Sequence, residues 1–237
     1  TNPCGIASAT NIEAAFDRSY ESDPKSAFGG IVLLNRKVTS KLAMKIYKNF
    51  YEMIVALDFD REALQILKKK KNLILLKIPK IKYLNLEYRS TLFGDLHQSL
   101  DLEVINRNFI RLVSKKKSSN KSINDLIFSL KVAKHLKSNA IVLSRNKQTL
   151  GLGHGQTNRV DALNYAIKNM NKYFKKGTFV CASDGFFPFA DSINLLSKNG
   201  CKVVAQPSGS INDEIIISFS IKNKISLYFT KNRLFKH

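Results

Sequence analysis

Apolar residues recur along the chain at two spacings, and the switches between them mark out its elements. Where they fall three or four apart, an amphipathic helix is predicted; where they run together between turn formers, a buried strand. Asn11 caps a helix through about Tyr20, with Ile12, Ala15 and Phe16 on one face. Ser22-Asp23-Pro24 ends it, and Ser26-Ala27-Phe28-Gly29-Gly30 leads into a strand at Ile31–Leu34. Thr39 caps a helix to about Phe50, with Leu42, Ile46 and Phe50 inward. A strand Met53–Leu57, a helix Glu62–Lys70 and a strand Leu73–Leu76 follow. Residues 78–121 are less regular, with candidate strands at Leu92–Asp95 and Phe109–Val113.

The second half repeats the theme. Ser122-x-x-Asp125 has the form of a capping box with Asp in place of Glu, opening a helix to about Leu136 with Ile123, Leu126, Leu130 and Ala133 on one face. A strand at Ala140–Leu143 turns at Asn146 into the glycine-rich run Thr149–Gly155. A helix then carries Val160, Leu163, Ile167 and Met170. Phe179–Ala182 reads as a buried strand broken by Ser183-Asp184-Gly185. Phe186, Phe187 and Phe189 surround Pro188, which fixes φ and removes a backbone donor. A helix resumes after Asp191 with Phe189, Ile193 and Leu196 in phase, so Phe189 is expected to face the core and Phe186 the pocket. Strand Val203–Ala205, loop Gln206–Ser210, helix Asn212–Phe219 and strand Leu227–Thr230 complete the pattern. Helices alternating with strands predict an α/β fold with mainly parallel sheets. The Lys/Ser/Asn-rich stretch 114–122 is the linker candidate, dividing the chain into 1–117 and 118–237.

Composition narrows the class. No apolar run approaches the ~20 residues of a membrane helix, so no membrane partner is expected. Three cysteines, Cys4, Cys181 and Cys201, are too few and too scattered for a disulfide framework or a cysteine zinc site, which fits a reducing, cytoplasmic setting. The start, Thr1-Asn2-Pro3-Cys4-Gly5, is no signal peptide and reads as a chain cut from something longer. The net charge of +21 raises nucleic-acid binding. Its lysines, however, cluster near helix ends and loops without interleaved aromatics, which favours solvated faces over a stacking groove.

Several corners could carry chemistry. Gly151-Leu152-Gly153-His154-Gly155 is not the spacing of a dinucleotide loop, and NAD is excluded. Glycines ahead of Gln156-Thr157-Asn158-Arg159 favour an anion at a helix N-terminus beside a guanidinium; the plainer reading is a capped helix with a surface arginine. Asn139 at a helix-to-strand corner either orients a substrate or satisfies a turn. Pro207-Ser208-Gly209-Ser210 either offers N–H groups to an anion or caps the next helix. The aromatic turn lies at a strand's carboxyl end, where α/β sheets bind ligands, and the alternative is a core plug.

Seven motifs taken together resemble one family. They are Thr1-Asn2-Pro3-Cys4-Gly5, Ser26–Gly30, Lys137-Ser138-Asn139-Ala140, Gly151-x-Gly153-x-Gly155-Gln156-x-x-Arg159, Ser183-Asp184-x-Phe186-Phe187-Pro188-Phe189, Pro207–Ser210 and Arg233-x-Phe235-x-His237. In this order, along the whole chain, they are similar to the transformylase part of the bifunctional AICAR formyltransferase/IMP cyclohydrolase family. The resemblance implies formyl transfer from 10-formyltetrahydrofolate to the 5-amino group of AICAR in purine biosynthesis. It implies two cytidine-deaminase-like α/β/α subdomains without zinc or another metal, and a homodimer with active sites at the subunit interface. By motif match, Gly29, Glu52, Asn139, Arg159, Phe186 and Arg233 would contact AICAR. Val160, Asp191 and Ser210 would line the folate side, and Asn139 and His237 would serve catalysis.

The chemistry suits these residue types. The 5-amino group is a weak nucleophile that needs a base, an oxyanion donor and tight orientation. Arginines suit phosphate and carboxamide, and a phenylalanine suits a flat heterocycle. Three departures stand out. The family's Lys-His pair falls immediately before Thr1, so this chain is expected to bind AICAR weakly and transfer formyl slowly. The family's cyclohydrolase domain is expected further upstream, before Thr1. His154 and Ala190 replace a small residue and a frequent arginine on the folate side.

Overall fold

The computed structural model describes residues 2–78 and 85–236, and packing sorts them into two units: residues 2–29 with 105–236, and the described part of 30–104. The chain opens with α1 (Ile12–Ser22), whose cap Asn11 accepts the Ala14 N–H through Oδ1 at 2.7 Å. The smaller unit follows with β1 (Gly30–Leu34), α2 (Ser40–Tyr47), β2 (Tyr51–Ala56), α3 (Arg61–Leu67), β3 (Ile74–Lys77), β4 (Leu86–Thr91) and β5 (Gly94–Ser99). Strands β1, β2 and β3 form a parallel sheet in that order. Leu34, Ile54 and Ala56 are buried, as are Leu42, Ala43 and Ile46 of α2 and Ala63 and Leu67 of α3. Phe50 is exposed, contrary to its expected inward placement. Helix α2 ends at Tyr47, which breaks the helical phase, and Tyr51 of β2 is buried instead.

Strands β4 and β5 pair antiparallel as a separate hairpin. The strand expected at Leu92–Asp95 is divided by its turn. Thr91 Oγ1 donates to the Gly94 carbonyl at 2.7 Å and accepts the Phe93 N–H at 3.3 Å, so Leu92 and Phe93 form the tip.

The larger unit continues with β6 (Ile110–Leu112), α4 (Asn120–Ala133), β7 (Ile141–Arg145), β8 (Gln148–Gly153), α5 (Arg159–Tyr173), β9 (Phe179–Ser183), α6 (Asp191–Lys198), β10 (Cys201–Pro207), α7 (Asp213–Lys222) and β11 (Ser226–Thr230). Its six-stranded sheet has the order β6-β11-β10-β9-β7-β8. Strands β9, β10 and β11 are parallel, and β7 runs antiparallel between β9 and β8. Side chains alternate between two cores, as strand geometry requires. Ile141, Leu143, Phe179 and Cys181 join Leu163, Ile167, Ile193 and Ile216 of α5, α6 and α7. Val142, Val180 and Ala182 join Leu126, Leu130 and Ala133 of α4. Strand β6 pairs antiparallel with β11, so β8, β9, β10 and β11 run one way and β6 and β7 the other; helices cover both faces, which explains why its strands read as continuous apolar runs.

Residues 2–29 pack with the second half of the chain. Ser22 Oγ donates to the Thr149 carbonyl at 2.7 Å, Thr149 N–H donates to the Ile6 carbonyl at 3.0 Å, and Arg18 donates to the carbonyls of Ser8 and Asn146. A division at residue 117 groups these residues otherwise, because local periodicity carries no sign of partners so distant in sequence.

Two local expectations change for physical reasons. Helix α4 is capped by Ser119, which accepts the Ser122 N–H at 3.2 Å, so Ser122 lies inside the helix. Asp125 is buried and accepts the Asn146 and Lys147 N–H groups at 2.8 Å each, fixing a β7–β8 turn whose two residues have positive φ. The glycine run lies in strand β8 as far as Gly153. A Cβ on Gly151 would sit 2.0 Å from the Ala166 carbonyl oxygen and one on Gly153 1.9 Å from that of Ala162, so these glycines admit the backbone of α5. Burial pushes the Cys181 thiol well up and that of Cys201 to about 12, leaving both protonated core residues.

Candidate functional site

The register brings five corners to one edge of the larger sheet. Ile141 pairs with both Gly153 and Ser183, which sets the start of β7 beside the ends of β8 and β9. Ala205 pairs with Ala182 and Pro207 with Thr230, adding the ends of β10 and β11. Asn139, Arg159, Ser183–Gly185, the loop after Pro207 and the tail after Thr230 therefore share the carboxyl edge of a mainly parallel sheet.

Arg159 is the centre of this edge. It is the first residue of α5, preceded by the cap Asn158, whose Oδ1 accepts the Asp161 N–H at 2.8 Å. Far from lying on the surface, Arg159 is 7% exposed. Its Nη1 donates to Asn139 Oδ1 at 2.6 Å, Nη2 to Asp184 Oδ1 at 2.9 Å and Nε to the Gly185 carbonyl at 3.2 Å. Burial pulls the guanidinium below its ordinary range, the Asp184 charge opposes this, and Arg233 adds a like-charge push. Asp184 is fully buried, and its other oxygen accepts the Ser138 hydroxyl at 2.6 Å. Ser138 Oγ in turn accepts the Lys236 N–H at 3.1 Å, and the Leu234 N–H donates to the Asp184 carbonyl at 3.0 Å. The C-terminal tail is thus tied to the strand end. Asn139 donates from Nδ2 to the Gln156 carbonyl at 3.0 Å, so both ends of its amide are engaged.

Above this network lies a more open rim. Phe186 is half-buried, with the exposed Arg233 guanidinium 5.3 Å from its ring centre and 5.7 Å from that of Phe235. Gly185 makes the approach possible: a Cβ there would meet Arg159 Nη2 at 2.0 Å and Phe235 Cε1 at 2.8 Å. The aromatic turn divides otherwise than its phase predicts. Phe187 is fully buried, whereas Phe189 is 61% exposed. The expected core role of Phe189 is overturned because Pro188 and a helix starting only at Asp191 put it outside the helical phase. The Phe187 N–H donates to Gln206 Oε1 at 3.1 Å, and Asn212 Nδ2 donates to the Pro188 carbonyl at 2.8 Å, so two amides fix the turn.

The remaining candidates are placed as follows. Val160 is the second residue of α5 and is exposed, off the apolar stripe it was expected to join. Asp191 is the exposed first residue of α6. Ser210 Oγ accepts the Asn212 N–H at 3.2 Å. The N–H groups of Gly209 and Ser210 donate to Asp213 at 2.8 and 3.3 Å, so this loop presents a carboxylate where an anion cradle was one reading. Gly29 has φ of 69° ahead of β1, a conformation that favours glycine. Glu52 is exposed on β2 in the smaller unit. His237 lies outside the described residues. His154, half-buried between β8 and α5, has its pKa pushed down, first by burial. The sequence reading missed Ser138, Gln206 and Asn212 as supports, and the Arg159–Asp184 pair. The one available signal was that two motifs each carried a charged residue at a strand or helix end.

A sheet whose strand ends gather a buried ion pair beneath an open aromatic and cationic rim defines an α/β protein with a candidate site at the carboxyl edge of that sheet. The family model described as AICARFT/IMPCHase bienzyme matches residues 1–169. Proteins called "Bifunctional purine biosynthesis protein PurH" align with the whole chain. The one from Buchnera aphidicola subsp. Baizongia pistaciae is 47% identical, that from Caldicellulosiruptor saccharolyticus 43% and that from Thermoanaerobacter sp. 44%. The chain belongs to the AICARFT/IMPCHase bienzyme family and spans 46% of the length of each of these relatives.

Proposed function

We propose that this chain forms the transformylase part of a purine-biosynthesis enzyme, passing the formyl group of 10-formyltetrahydrofolate to the 5-amino group of AICAR. The observation that carries the reading is the convergence of Asn139, Arg159, Phe186 and Arg233 at one sheet edge, in a chain that belongs to this family. Each came from a different motif. Arg233 and Phe186 offer a guanidinium and a flat ring side by side, suited to an anionic nucleotide with a planar base. Arg159 and Asn139 hold each other and fix the floor, which limits reorganisation when charge develops. Gly29 and, in the smaller unit, Glu52 are proposed as AICAR contacts by motif match alone, and Val160, Asp191 and Ser210 likewise for the folate side.

In the reaction, the amino nitrogen attacks the formyl carbon. The new C–N bond forms as the bond to the folate N10 breaks, a base takes the amine proton, and N10 is protonated. Acid–base work falls to His237 and to the Lys-His pair that the family carries before the position of Thr1. The two-subdomain, cytidine-deaminase-like arrangement, a homodimer with shared sites, the absence of a zinc requirement and a cytoplasmic location belong to the same proposal. A formyl-transfer assay with AICAR and 10-formyltetrahydrofolate tests it, alongside AICAR titration of Phe186→Ala. Product formation that Phe186→Ala reduces through weaker AICAR binding supports the assignment. If a polypeptide that also carries the Lys-His pair gives no product and binds no AICAR, the assignment is overturned.

A further inference from the structure

Charge is distributed unevenly between the two ends of the larger sheet. Strands β9, β10 and β11 are parallel, so their amino ends lie together at the edge opposite Arg159. The segments leading into them, 174–178, 197–202 and 221–225, carry Lys175, Lys176, Lys198, Lys202, Lys222 and Lys224 and no carboxylate. All six lysines are exposed, and among the described residues none of them forms an ion pair. The carboxyl edge, by contrast, sets Asp184, Asp191 and Asp213 near its arginines.

These segments adjoin one another as one continuous face. A Cβ on Gly200 would lie 3.0 Å from the Gly177 carbonyl oxygen, which joins the first two. Asn223 Nδ2 donates to Asn194 Oδ1 at 2.9 Å and joins the third to α6. Ser114 Oγ accepts the Leu227 N–H at 2.8 Å, which brings in the stretch after β6. A recess of about 160 Å³ opens there, lined by Ser114, Lys115, Lys116, Ile221, Lys224 and Ile225. At the other end Arg145, the last residue of β7, lies against Gly177. The carboxylates beside β7 and β8 are engaged: Asp125 accepts the Asn146 and Lys147 N–H groups, and Asp23 accepts the Tyr173 hydroxyl at 3.2 Å.

Four strand ends at ~4.8 Å spacing span roughly 15 Å, and a nucleic-acid duplex carries on the order of nine charges over that length. Lysines meet phosphate as point charges. Phe174, the aromatic residue of these segments, packs against the core and is not set out to stack a base. We propose that the amino edge of the larger sheet is a second site, which holds the phosphate backbone of a nucleic acid by charge and without reading its bases. In sequence these lysines are separate clusters on solvated faces; the fold makes one face of them. The proposal concerns the end of the sheet opposite the site proposed for AICAR and does not depend on the reaction assigned there.

Fluorescence anisotropy of a labelled mixed-sequence DNA duplex, between about 50 and 200 mM salt, tests it. Three chains are compared. One is unaltered, and the edge variant carries Lys176→Gln, Lys198→Gln, Lys202→Gln and Lys222→Gln. The control makes the same charge change in the smaller unit, with Lys41→Gln, Lys68→Gln, Lys69→Gln and Lys71→Gln. Circular dichroism checks each fold. The edge variant should bind about ten-fold more weakly, with a salt slope shallower by about two or more, since each lost phosphate contact removes about one. The control should keep the slope of the unaltered chain, and a duplex of unrelated sequence should bind equally well. Equal weakening by the two variants would overturn the proposal in favour of a diffuse basic surface, as would no binding at the lowest salt. Stronger displacement by inorganic phosphate than by chloride at the same ionic strength would make the face a small-anion site and overturn it too. A marked preference for one duplex would overturn the claim that bases go unread. If the edge variant fails to fold, acetylation footprinting of the unaltered chain decides. Bound duplex should protect Lys198, Lys202 and Lys222 more than Lys68 and Lys69, and equal protection would overturn the proposal.

Discussion

Arg159 and Arg233 stand at the same sheet edge and use the same guanidinium for opposite purposes. Arg159 is buried and spends its donors on Asn139, Asp184 and Gly185, while Arg233 is exposed and lies over two aromatic rings. The first builds the floor of the sheet edge and the second stays exposed above it. Residue type and motif therefore do not assign a role; burial and hydrogen-bond commitment do. A buried ion pair is poor evidence of extra stability, yet breaking it strands a charge in the interior. Loss of an exposed arginine leaves no such debt.

The comparison is broken most severely by Arg159→Met. It leaves the fully buried Asp184 without its cation, and unfolding free energy should fall by ~5 kcal/mol, the upper end for a broken buried pair. Urea denaturation measures this, and a loss below 1 kcal/mol would show that the floor is not held by the pair. The aromatic turn gives the next contrast. Phe187→Ala should lower stability by ~4 kcal/mol, whereas Phe189→Ala should stay within ~0.5 kcal/mol. Melts of the two variants that coincide would remove the distinction.

That contrast shows what the sequence made legible and what it concealed. Caps at Asn11 and Thr39, the alternation of helix and strand, and the strand Phe179–Ala182, which runs one residue further to Ser183, followed from residue type and spacing, because each depends on neighbours a few residues away. Phe189 was misplaced because a proline turn resets the helical phase. The glycine run gave no sign that Gly151 and Gly153 answer to α5, a constraint of packing rather than of local conformation. The motif residues that meet at the sheet edge were readable one by one. Their supports were not, since the Ser138–Asp184 and Arg159–Asp184 contacts join segments 46 and 25 residues apart.

A smaller effect sharpens the packing side of the account. Gly153→Ala should cost ~2 kcal/mol, as overpacking does, because its methyl meets the α5 backbone. Thermal melting against a Gly155→Ala control distinguishes packing from backbone strain, since Gly155 has open space around it and a φ of +65°. The smallest effect concerns pH. The folded pKa of His154 is depressed, chiefly by burial. The folded state therefore holds fewer protons than the unfolded one below the ordinary imidazole range, and stability falls as pH drops through and below ~6.5. His154→Ala should flatten this part of the stability–pH curve; an unchanged slope would show that His154 does not contribute to it.

The central claim is that the open rim at the sheet edge, and not the diffuse basic surface, receives the nucleotide. Isothermal titration of AICAR monophosphate into the chain, its Arg233→Ala variant and a Lys70→Ala control tests it most directly. The account predicts saturable binding to the chain, unchanged in Lys70→Ala. In Arg233→Ala it should be weakened ~10-fold or more, as expected for loss of a charge-assisted contact, with the melting temperature preserved. Equal affinity in all three, or equal weakening by Arg233→Ala and Lys70→Ala, would contradict it.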